Sequence, residues 1–343
     1  MVTIVIPTYN RSDFLIRLFN YYADRDYKHW ISIGDSSTGE HLERAKKAVK
    51  QFSKKLKIKF AEYPGLTEPQ TTARLIETIE TPYLAWVADD DFIVPKGLNE
   101  CVEFLKANPD YSVAFGKGIL FTIGSSGPHG EIRNFSSYDL RAIEDEAAAQ
   151  RILNHLNDYS NSNFGAHRTE QFKKAYSNVV QLKDKGYTEL TPNCVSTIQG
   201  KVKALNCFYL VRQTHDRRYR LPDLYDWVTG PNWHPSYQVF FETCSKELAE
   251  KDGISEEEAQ EVVKQAFWSY LKNGLSRKFI NSYGQGKVKS LKDTIKDKLR
   301  QNPIIRERLL PLLRSSRPEV LSLRKDPDYL AVYRAVQQLV EGT

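Results

Sequence analysis

The sequence predicts an α/β fold built on a doubly wound, mostly parallel sheet with a C-terminal helical extension. Short apolar, β-rich runs alternate with amphipathic stretches through the first hundred residues, and strict alternation implies parallel strands joined by right-handed crossovers. The later part of the chain is predicted to be helical. We therefore expect a first domain over residues 1–240 and a basic helical region over residues 241–343.

The alternating part contains four predicted strands and four predicted helices. The strands are Thr3–Ile6, Trp30–Ile33, Ile58–Tyr63 and Tyr83–Val87, and the helices are Asp13–Ala23, Glu40–Lys54, Thr67–Glu80 and Pro95–Ala107. In such sheets ligands bind beyond the carboxyl ends of the strands. Pro7–Arg11, Asp35–Ser37 and Asp89–Asp91 each follow a strand directly, so we expect them on one rim.

The middle of the chain is less regular. Thr122–Tyr138 is rich in Gly and Ser, lacks an apolar period and predicts a mobile loop. A helix is predicted over Ile143–Asn157, then a strand over Phe164–His167 and a helix capped by Thr169. Lys201–Thr214 is consistent with a strand pair or with one long strand. Further on, Ser255 and Glu258 have the spacing of a capping box at the start of a helix.

Composition bounds the class of protein. No apolar run reaches the roughly 18 to 20 residues that a membrane-spanning helix needs, and the first residues enter a strand pattern directly, so we expect a cytoplasmic protein. The four cysteines (Cys101, Cys194, Cys207 and Cys244) form no CxxC pair and are expected to be reduced and structural.

The net charge of +6 is unevenly distributed. Between Lys272 and Lys325 there are 15 Lys and Arg residues against four Asp and Glu. In Lys287–Arg300 an apolar residue recurs every four positions among lysines. This basic amphipathic segment is compatible with peripheral contact to an anionic membrane, with packing in an oligomer, or with a solvated helical face.

Three adjacent carboxylates, Asp89, Asp90 and Asp91, end a predicted buried strand on the ligand rim. A solvated loop and helix cap ahead of Pro95 is one explanation. The other is a cation site, because a divalent cation relieves the mutual repulsion of clustered carboxylates. Oxygen ligands suit Mg²⁺ or Mn²⁺, which take phosphate oxygens to complete their shell, so a nucleoside diphosphate is the expected partner.

Other rim residues suit the same ligand. Tyr9 offers an aromatic face that could stack a base, or belongs to a plain turn. Asp35 could accept a hydrogen bond from a base N–H, or cap a helix. Arg74 could pair with a phosphate or hold Asp35 in place, although a lone helix arginine is more often a surface residue.

The order of these motifs resembles family 2 glycosyltransferases with the GT-A fold. IVIPTYNR, ISIGDSS, a TTAR helix and YLAWVADDD follow one another as they do in that family, well over residues 2–110 and more loosely to residue 220. The resemblance implies a nucleotide site that comprises Pro7, Thr8, Tyr9, Arg11, Asp35, Arg74, Asp89 and Asp90. It also implies that Asp91 and Asp89, with His215, hold Mn²⁺ or Mg²⁺.

The chain departs from the family pattern in places. GDSST stands for DDGST and ARLIE for ARN, which makes the base contacts less certain than the acidic motif. No QxxRW motif follows, which argues against a processive polysaccharide synthase. The family's ED pair, which supplies the catalytic base, is reduced to Glu189, with Asp184 as the alternative.

The residues after the last strand suit a diphosphate. His215 implies a metal or pyrophosphate contact by resemblance, or is an exposed loop residue. Arg212, Arg217 and Arg218 make its surroundings cationic. Aromatic residues further on include Trp233 and His234, which could hold an acceptor sugar or pack the C-terminal helices.

The resemblance thus implies a metal-dependent, inverting single displacement from a nucleoside-diphosphate sugar, UDP-linked, to a hydroxyl of a glycan, lipid-linked or other acceptor. Polysaccharide, glycolipid or cell-surface glycan synthesis is the expected setting, and nucleic acid is not an expected partner. A sugar-phosphate nucleotidyltransferase is one alternative, although the loop PTYNRSD lacks the glycines such enzymes carry. A non-catalytic nucleotide- or carbohydrate-binding protein of the same fold is another.

Overall fold

The computed structural model describes residues 1–124, 126–215, 221, 224–283 and 326–337, with the backbone alone for residues 277–283. Its strands are β1 (Val2–Thr8), β2 (Trp30–Asp35), β3 (Lys57–Glu62), β4 (Tyr83–Trp86), β5 (Phe92–Ile93), β6 (Tyr111–Ile123), β7 (Ile132–Tyr138), β8 (Ala166–Arg168) and β9 (Lys201–Thr214). In this part of the chain all nine strands belong to one sheet.

Eleven α-helices are present in the described residues. They are α1 (Ser12–Asp24), α2 (Gly39–Phe52), α3 (Glu68–Glu77), α4 (Pro95–Ala107), α5 (Ala148–Asn157), α6 (Thr169–Tyr176), α7 (Lys185–Gln199), α8 (Leu224–Val228), α9 (Trp233–Asp252), α10 (Glu256–Tyr283) and α11 (Pro327–Gln337). Two short 3₁₀ helices lie at Ser162–Phe164 and Val179–Gln181.

The strand order β3-β2-β1-β4-β8-β6-β9-β5, with β7 paired to β6, confirms the predicted doubly wound, mostly parallel sheet. Strands β3, β2, β1 and β4 pair in parallel, as do β6 and β9, whereas β8 joins the two groups by antiparallel pairs. Thr8 is in register with Asp35, so the ends of β1 and β2 lie side by side. The parallel crossovers therefore bring the rim segments to one edge, as the alternating pattern predicts.

The core lies on both faces of the sheet. One face packs α1, α2, α4 and α11, and the other packs α3, α5, α6, α7, α9 and α10. All seven residues of β1 are buried, because an internal parallel strand is covered on both sides. The four cysteines are free thiols and all are buried, in agreement with a structural role.

The predicted loop Thr122–Tyr138 is wrong in its second half, which forms strand β7 along β6. Phe135 is the buried residue of this strand, and its ring meets Tyr329 of α11 with the centroids 5.2 Å apart. Polar residues at four of the other positions (Arg133, Asn134, Ser136 and Ser137) conceal the strand in the sequence. The long-strand alternative for Lys201–Thr214 is confirmed as β9.

Two predicted helix starts also change. Helix α5 begins at Ala148 and not at Ile143, because the backbone of Ile143 bonds to Val202 of β9. Asp252 caps α5 instead, accepting from the amides of Ala148 and Ala149 at 2.9 and 2.8 Å. Thr169 is the first residue of α6 and its side chain does not cap it.

Helix α9 runs from the first predicted region (residues 1–240) into the second (residues 241–343). The expected boundary at residue 240 lies inside α9. The capping box is confirmed, since the Ser255 amide bonds to Glu258 Oε2 at 3.0 Å and the Glu258 amide to Ser255 Oγ at 3.2 Å. Helix α11 returns to the sheet, where Asp328 pairs with Arg25 of α1.

The predicted amphipathic segment Lys287–Arg300 lies outside the described residues, so its three interpretations stay open. Among the helices that are described, none combines the length and the apolar character needed to span a bilayer.

We expect Gly97→Ala to lower the free energy of unfolding by about 2 kcal/mol or more, because α4 approaches β9 too closely for a side chain. A Cβ at residue 97 would lie 2.1 Å from the backbone oxygen of Phe208. Gly127→Ala is the matched control, since a Cβ there meets nothing within 4 Å. Urea denaturation measures both, and equal stability of the two variants would contradict this packing.

Candidate active site

The predicted acidic motif forms a buried turn at the end of β4. Asp89, Asp90 and Asp91 are 3%, 5% and 1% exposed. The two residues that follow form β5, and Phe92 pairs with Val211 of β9. Both β5 residues are fully buried, so their burial fixes the position of the turn.

The outer carboxylates each meet an arginine. Asp89 accepts from Thr8 Oγ1 at 2.7 Å and from Arg11 Nη1 at 2.6 Å, which places β1 and its loop against the turn. On the other side, Asp91 accepts from Arg212 Nε at 2.7 Å and from the Gln213 amide at 2.9 Å. The end of β9 therefore closes the acidic turn from the opposite flank.

The middle carboxylate, Asp90, contacts His215. The distance from His215 Nε2 to Asp90 Oδ2 is 2.7 Å, and Arg11 Nη1 lies 3.2 Å from the same oxygen. Because a carboxylate only accepts, Nε2 is the protonated ring nitrogen in this contact. The imidazole also stacks on Phe14, with ring centroids 5.1 Å apart.

Arg17 is a site residue that the sequence reasoning missed. It is fully buried in α1 and donates to the backbone oxygen of Asp90 at 2.7 Å, to Pro128 O at 2.6 Å and to Gln213 Oε1. Its guanidinium lies 4.6 Å from the ring centroid of Phe92. From its buried position in α1, Arg17 therefore links the acidic turn, the end of β9 and the loop around Pro128.

The electrostatics of the turn differ from the expectation. Burial raises the pKa of Asp89 and of Asp91 to about 6, with the charge of Asp90 adding, against the opposing effects of Arg11 and Arg212. Burial alone would also raise the pKa of Asp90, but the His215 contact and the nearby arginines lower it. Arg11, Arg17 and Arg212 thus offset part of the repulsion among the carboxylates.

The three predicted metal ligands do not converge in the structure. His215 contacts Asp90, whereas Asp89 faces Arg11 and Asp91 faces Arg212. Within the described ranges no three acidic, His or Cys side chains are arranged to hold a metal ion. The oxygen chemistry suits Mn²⁺ or Mg²⁺, but an ion would need ligands from the diphosphate as well.

The remaining predicted nucleotide residues lie on the same rim. Pro7 is buried at the end of β1, and Tyr9 beside it is 60% exposed. Asp35 is buried, and its Oδ1 accepts from the Ser37 amide at 2.7 Å while Oδ2 has no partner among the described residues. Arg74 is exposed on α3 and makes no ion pair with Asp35 in the described structure.

Glu189 lies on α7, near Arg212, which also pairs with Asp91 of the acidic turn. Its Oε1 accepts from the Tyr159 hydroxyl at 3.0 Å, and the charge of Arg212 acts on it. Burial raises the pKa of Glu189 above its ordinary value of 4.5, although these partners oppose the shift. The carboxylate can therefore take a proton in the site more readily than an exposed glutamate.

The alternative base, Asp184, lies at the start of α7, and its described side-chain contacts all use Oδ1. It is the N-cap of α7 and accepts from the amides of Gly186 and Tyr187 at 2.8 and 3.1 Å. The indole Nε1 of Trp227 donates to the same oxygen at 2.5 Å. These contacts use one oxygen of the carboxylate in fixing α7.

The two predicted acceptor residues are placed differently. Trp233 is half-buried in an aromatic cluster, with its ring stacked on Tyr237 at 5.4 Å and near Tyr187 of α7. This is the packing role that the sequence left open. His234 is exposed at the start of α9, and Arg217 and Arg218 lie outside the described residues.

Glu68, at the start of α3, is a second residue that the sequence reasoning missed. Its side chain is exposed and accepts from Thr72 Oγ1 at 3.0 Å. The protein atoms around the carboxylate nevertheless keep much of the water away from it, which raises the pKa of Glu68 to about 7. The charges of Glu189 and Asp89 add to this shift. Glu68 therefore lies near enough to Glu189 and Asp89 for their charges to act on it.

Comparisons with known proteins agree with this arrangement. The family model described as glycosyl transferase family 2 matches residues 3–176, just over half of the chain. A search of curated proteins found no match.

Solved structures of TarS from S. aureus have a similar fold. The structure of TarS 1-349 has 14% identity and a TM-score of 0.50, and covers 100% of this chain and 92% of that one. The same fragment in complex with UDP-GlcNAc has 15% identity and a TM-score of 0.51, covering 99% and 91%. At such identities the likeness supports the GT-A fold, and the family match supports the activity. The chain belongs to glycosyl transferase family 2 and is a glycosyltransferase.

Proposed function

We propose that the protein transfers a sugar from a UDP-linked donor to an acceptor hydroxyl, with the diphosphate at the acidic turn and Glu189 as the general base. The observation that carries this proposal is the position of Arg212. It bonds to Asp91 on the turn and its charge also acts on Glu189, so the two groups share one cleft.

The rim beside the turn suits a uridine. Tyr9 presents an exposed ring, on which a base can stack. Within the described part of the chain, Asp35 keeps a buried oxygen without a partner, and an imide N–H of uracil would satisfy it. TarS, which shares the fold, has been solved with UDP-GlcNAc, which supports a UDP-sugar as the first donor to test.

Asp89 and Asp91 would hold Mn²⁺ or Mg²⁺ together with the diphosphate. Such an ion neutralises charge on the departing nucleoside diphosphate. The protein contributes Arg11 and Arg212 on either flank of the turn, and these cations attract the same phosphates. Arginines already offset part of the negative charge of the acidic turn before the donor binds. We therefore expect the metal to bind together with the diphosphate and only weakly without it.

Glu189 takes the proton of the acceptor hydroxyl as that oxygen attacks the anomeric carbon. A single displacement of this kind inverts the anomeric centre and needs no covalent intermediate. Tyr159 fixes the carboxylate by its 3.0 Å hydrogen bond, and burial raises the pKa of the tyrosine, which keeps it a donor. Transfer to one acceptor at a time fits the missing processive motif.

A thermal-shift screen of nucleotides and nucleotide sugars, with and without Mn²⁺, tests the proposal. A ligand that binds only the native state raises the free energy of unfolding by RT ln(1 + L/Kd), where L is the free ligand concentration, so the melting temperature rises with ligand concentration and with affinity. We expect UDP and a UDP-sugar to give the largest shifts, with Mn²⁺ increasing them. Stabilisation by a nucleoside triphosphate and a sugar phosphate in place of UDP would instead support the nucleotidyltransferase alternative.

A further inference from the structure

Four side chains, each in contact with the next, lie beside the acidic turn, and we use the name Trp86 cleft for the surface bordered by Glu68, Thr72, Trp86 and Phe164. Trp86 is half-buried on β4 and its Nε1 lies 3.4 Å from Thr72 Oγ1. The Phe164 ring lies on the other side, with its centroid 5.2 Å from that of Trp86. An indole surface thus lies between the start of α3 and the loop before β8.

The Trp86 cleft adjoins the reacting groups at both ends. Phe164 is covered by the guanidinium of Arg212, 3.9 Å from its ring centroid, and Arg212 bonds to Asp91. At the other end, Glu68 lies close enough to Glu189 and Asp89 for both charges to act on it. A sugar bound between the diphosphate and the base would therefore border Glu68.

From this arrangement we infer that Glu68 binds the sugar being transferred. It accepts a hydrogen bond from a sugar hydroxyl while the ring packs against Trp86, and it selects a neutral pyranose over an anionic one. This inference rests on the proposed function, because it presupposes that the donor diphosphate lies at the acidic turn.

The chemistry of the Trp86 cleft supports a neutral sugar. At about pH 8, above its pKa of about 7, Glu68 is mostly ionised; an ionised carboxylate only accepts hydrogen bonds, and sugar hydroxyls donate them. Aromatic surfaces pack against the apolar face of a ring. The carboxylate of a uronate would face both Glu68 and Glu189. Repulsion between these like charges would weaken the binding of an anionic sugar and leave the binding of a neutral sugar unaffected.

A purely structural role for Glu68 has to be separated from this one. Glu68 is the first residue of α3, where a negative charge stabilises the helix dipole. Loss of that effect would lower stability and leave the ranking of ligands unchanged. Glu77, exposed in the last turn of the same helix, provides the matched control.

Calorimetry at about pH 8 with Mn²⁺ on the wild type, Glu68→Gln and Glu77→Gln tests the inference with three probes: UDP, UDP-GlcNAc and UDP-glucuronic acid. We expect the wild type to bind UDP-GlcNAc at least about tenfold more tightly than UDP-glucuronic acid. Glu68→Gln should bind UDP as the wild type does, bind UDP-GlcNAc about tenfold more weakly and lose most of the discrimination. Glu77→Gln should match the wild type.

The contrary outcomes are distinct. If Glu68→Gln binds all three probes as the wild type does, Glu68 does not contact the donor sugar and the inference fails while the proposed function stands. If Glu68→Gln changes only the KM for the acceptor, Glu68 contacts the acceptor and not the donor sugar, and the inference fails as well. If the wild type binds neither UDP nor a UDP-sugar, the proposed function fails as well.

Discussion

Glu189→Gln is expected to reduce kcat for sugar transfer by roughly 100-fold or more, because an amide cannot take the acceptor proton. Affinity for the donor should stay within about twofold, since general-base catalysis acts on the transition state. The amide oxygen can still accept from Tyr159, which preserves the local hydrogen bond. Steady-state transfer assays and donor calorimetry together measure both quantities.

The pH profile gives the same assignment a second test. The base must be ionised to act, so the rate falls on the acid side as pH drops through its pKa. Burial raises the pKa of Glu189, so this fall should occur at a higher pH than the ordinary value of 4.5 implies. Because Asp89 and Asp91 also titrate near pH 6, the profile is measured as kcat at saturating donor and Mn²⁺, where Glu189→Gln should lose this limb.

Asp184→Ala serves as the comparison. It removes the cap of α7 and the acceptor for Trp227, so it should lower the free energy of unfolding by about 1 kcal/mol or more. Near-normal turnover in Glu189→Gln, together with loss of turnover in well-folded Asp184→Ala, would move the base to Asp184.

Asp91→Asn is expected to abolish the effect of Mn²⁺ on UDP binding and to lower the melting temperature. The carboxylate is 1% exposed and paired with Arg212, and removing one charge from a buried pair leaves the other without compensation. Breaking a fully buried pair costs about 3–5 kcal/mol; Arg212 is partly exposed, so we expect a smaller loss of about 1–3 kcal/mol. Calorimetry with and without Mn²⁺ measures the first effect and thermal denaturation the second.

Asp110→Asn is the matched control, because Asp110 pairs with Lys201 at 3.1 Å on the surface. Exposed ion pairs contribute about 0–1 kcal/mol, so this variant should behave as the wild type. If folded Asp91→Asn, judged by its circular dichroism, keeps the full effect of Mn²⁺ on UDP binding, Asp91 does not hold the metal.

Local patterns predicted the rim of the sheet well. Helix α4 begins at Pro95 and ends at Ala107, as predicted, because a proline starts it and an apolar stripe runs through it. Alternating strands and helices also placed Thr8, Asp35 and Asp89 on one edge. These features follow from periodicity and from the handedness of crossovers, which are readable over short stretches.

The contacts behind the rim could not be predicted in this way. Arg17 is the charged residue in the apolar run of α1, a signal of burial, but its partner Gln213 is 196 residues away in the sequence. The balance of the acidic turn depends on such distant arginines. A local pattern shows that three carboxylates repel one another and does not show what neutralises them.

Glu68 illustrates the same limit. In the sequence it is a common acidic residue at the start of a helix, and its relation to Glu189 depends on how α3 and α7 lie across the sheet. Strand β7 was missed because four of its seven residues are polar and its one buried residue, Phe135, packs against the distant α11.

The central claim is that the acidic turn binds the diphosphate of a UDP-linked donor, and titration of UDP into the wild-type protein tests it most directly. Calorimetry should show one site per chain, with affinity that rises when Mn²⁺ is present and that is lost in a double Asp89→Asn, Asp91→Asn variant that still folds. Absence of UDP binding by the wild type, or equal binding by the folded double variant, would contradict the account.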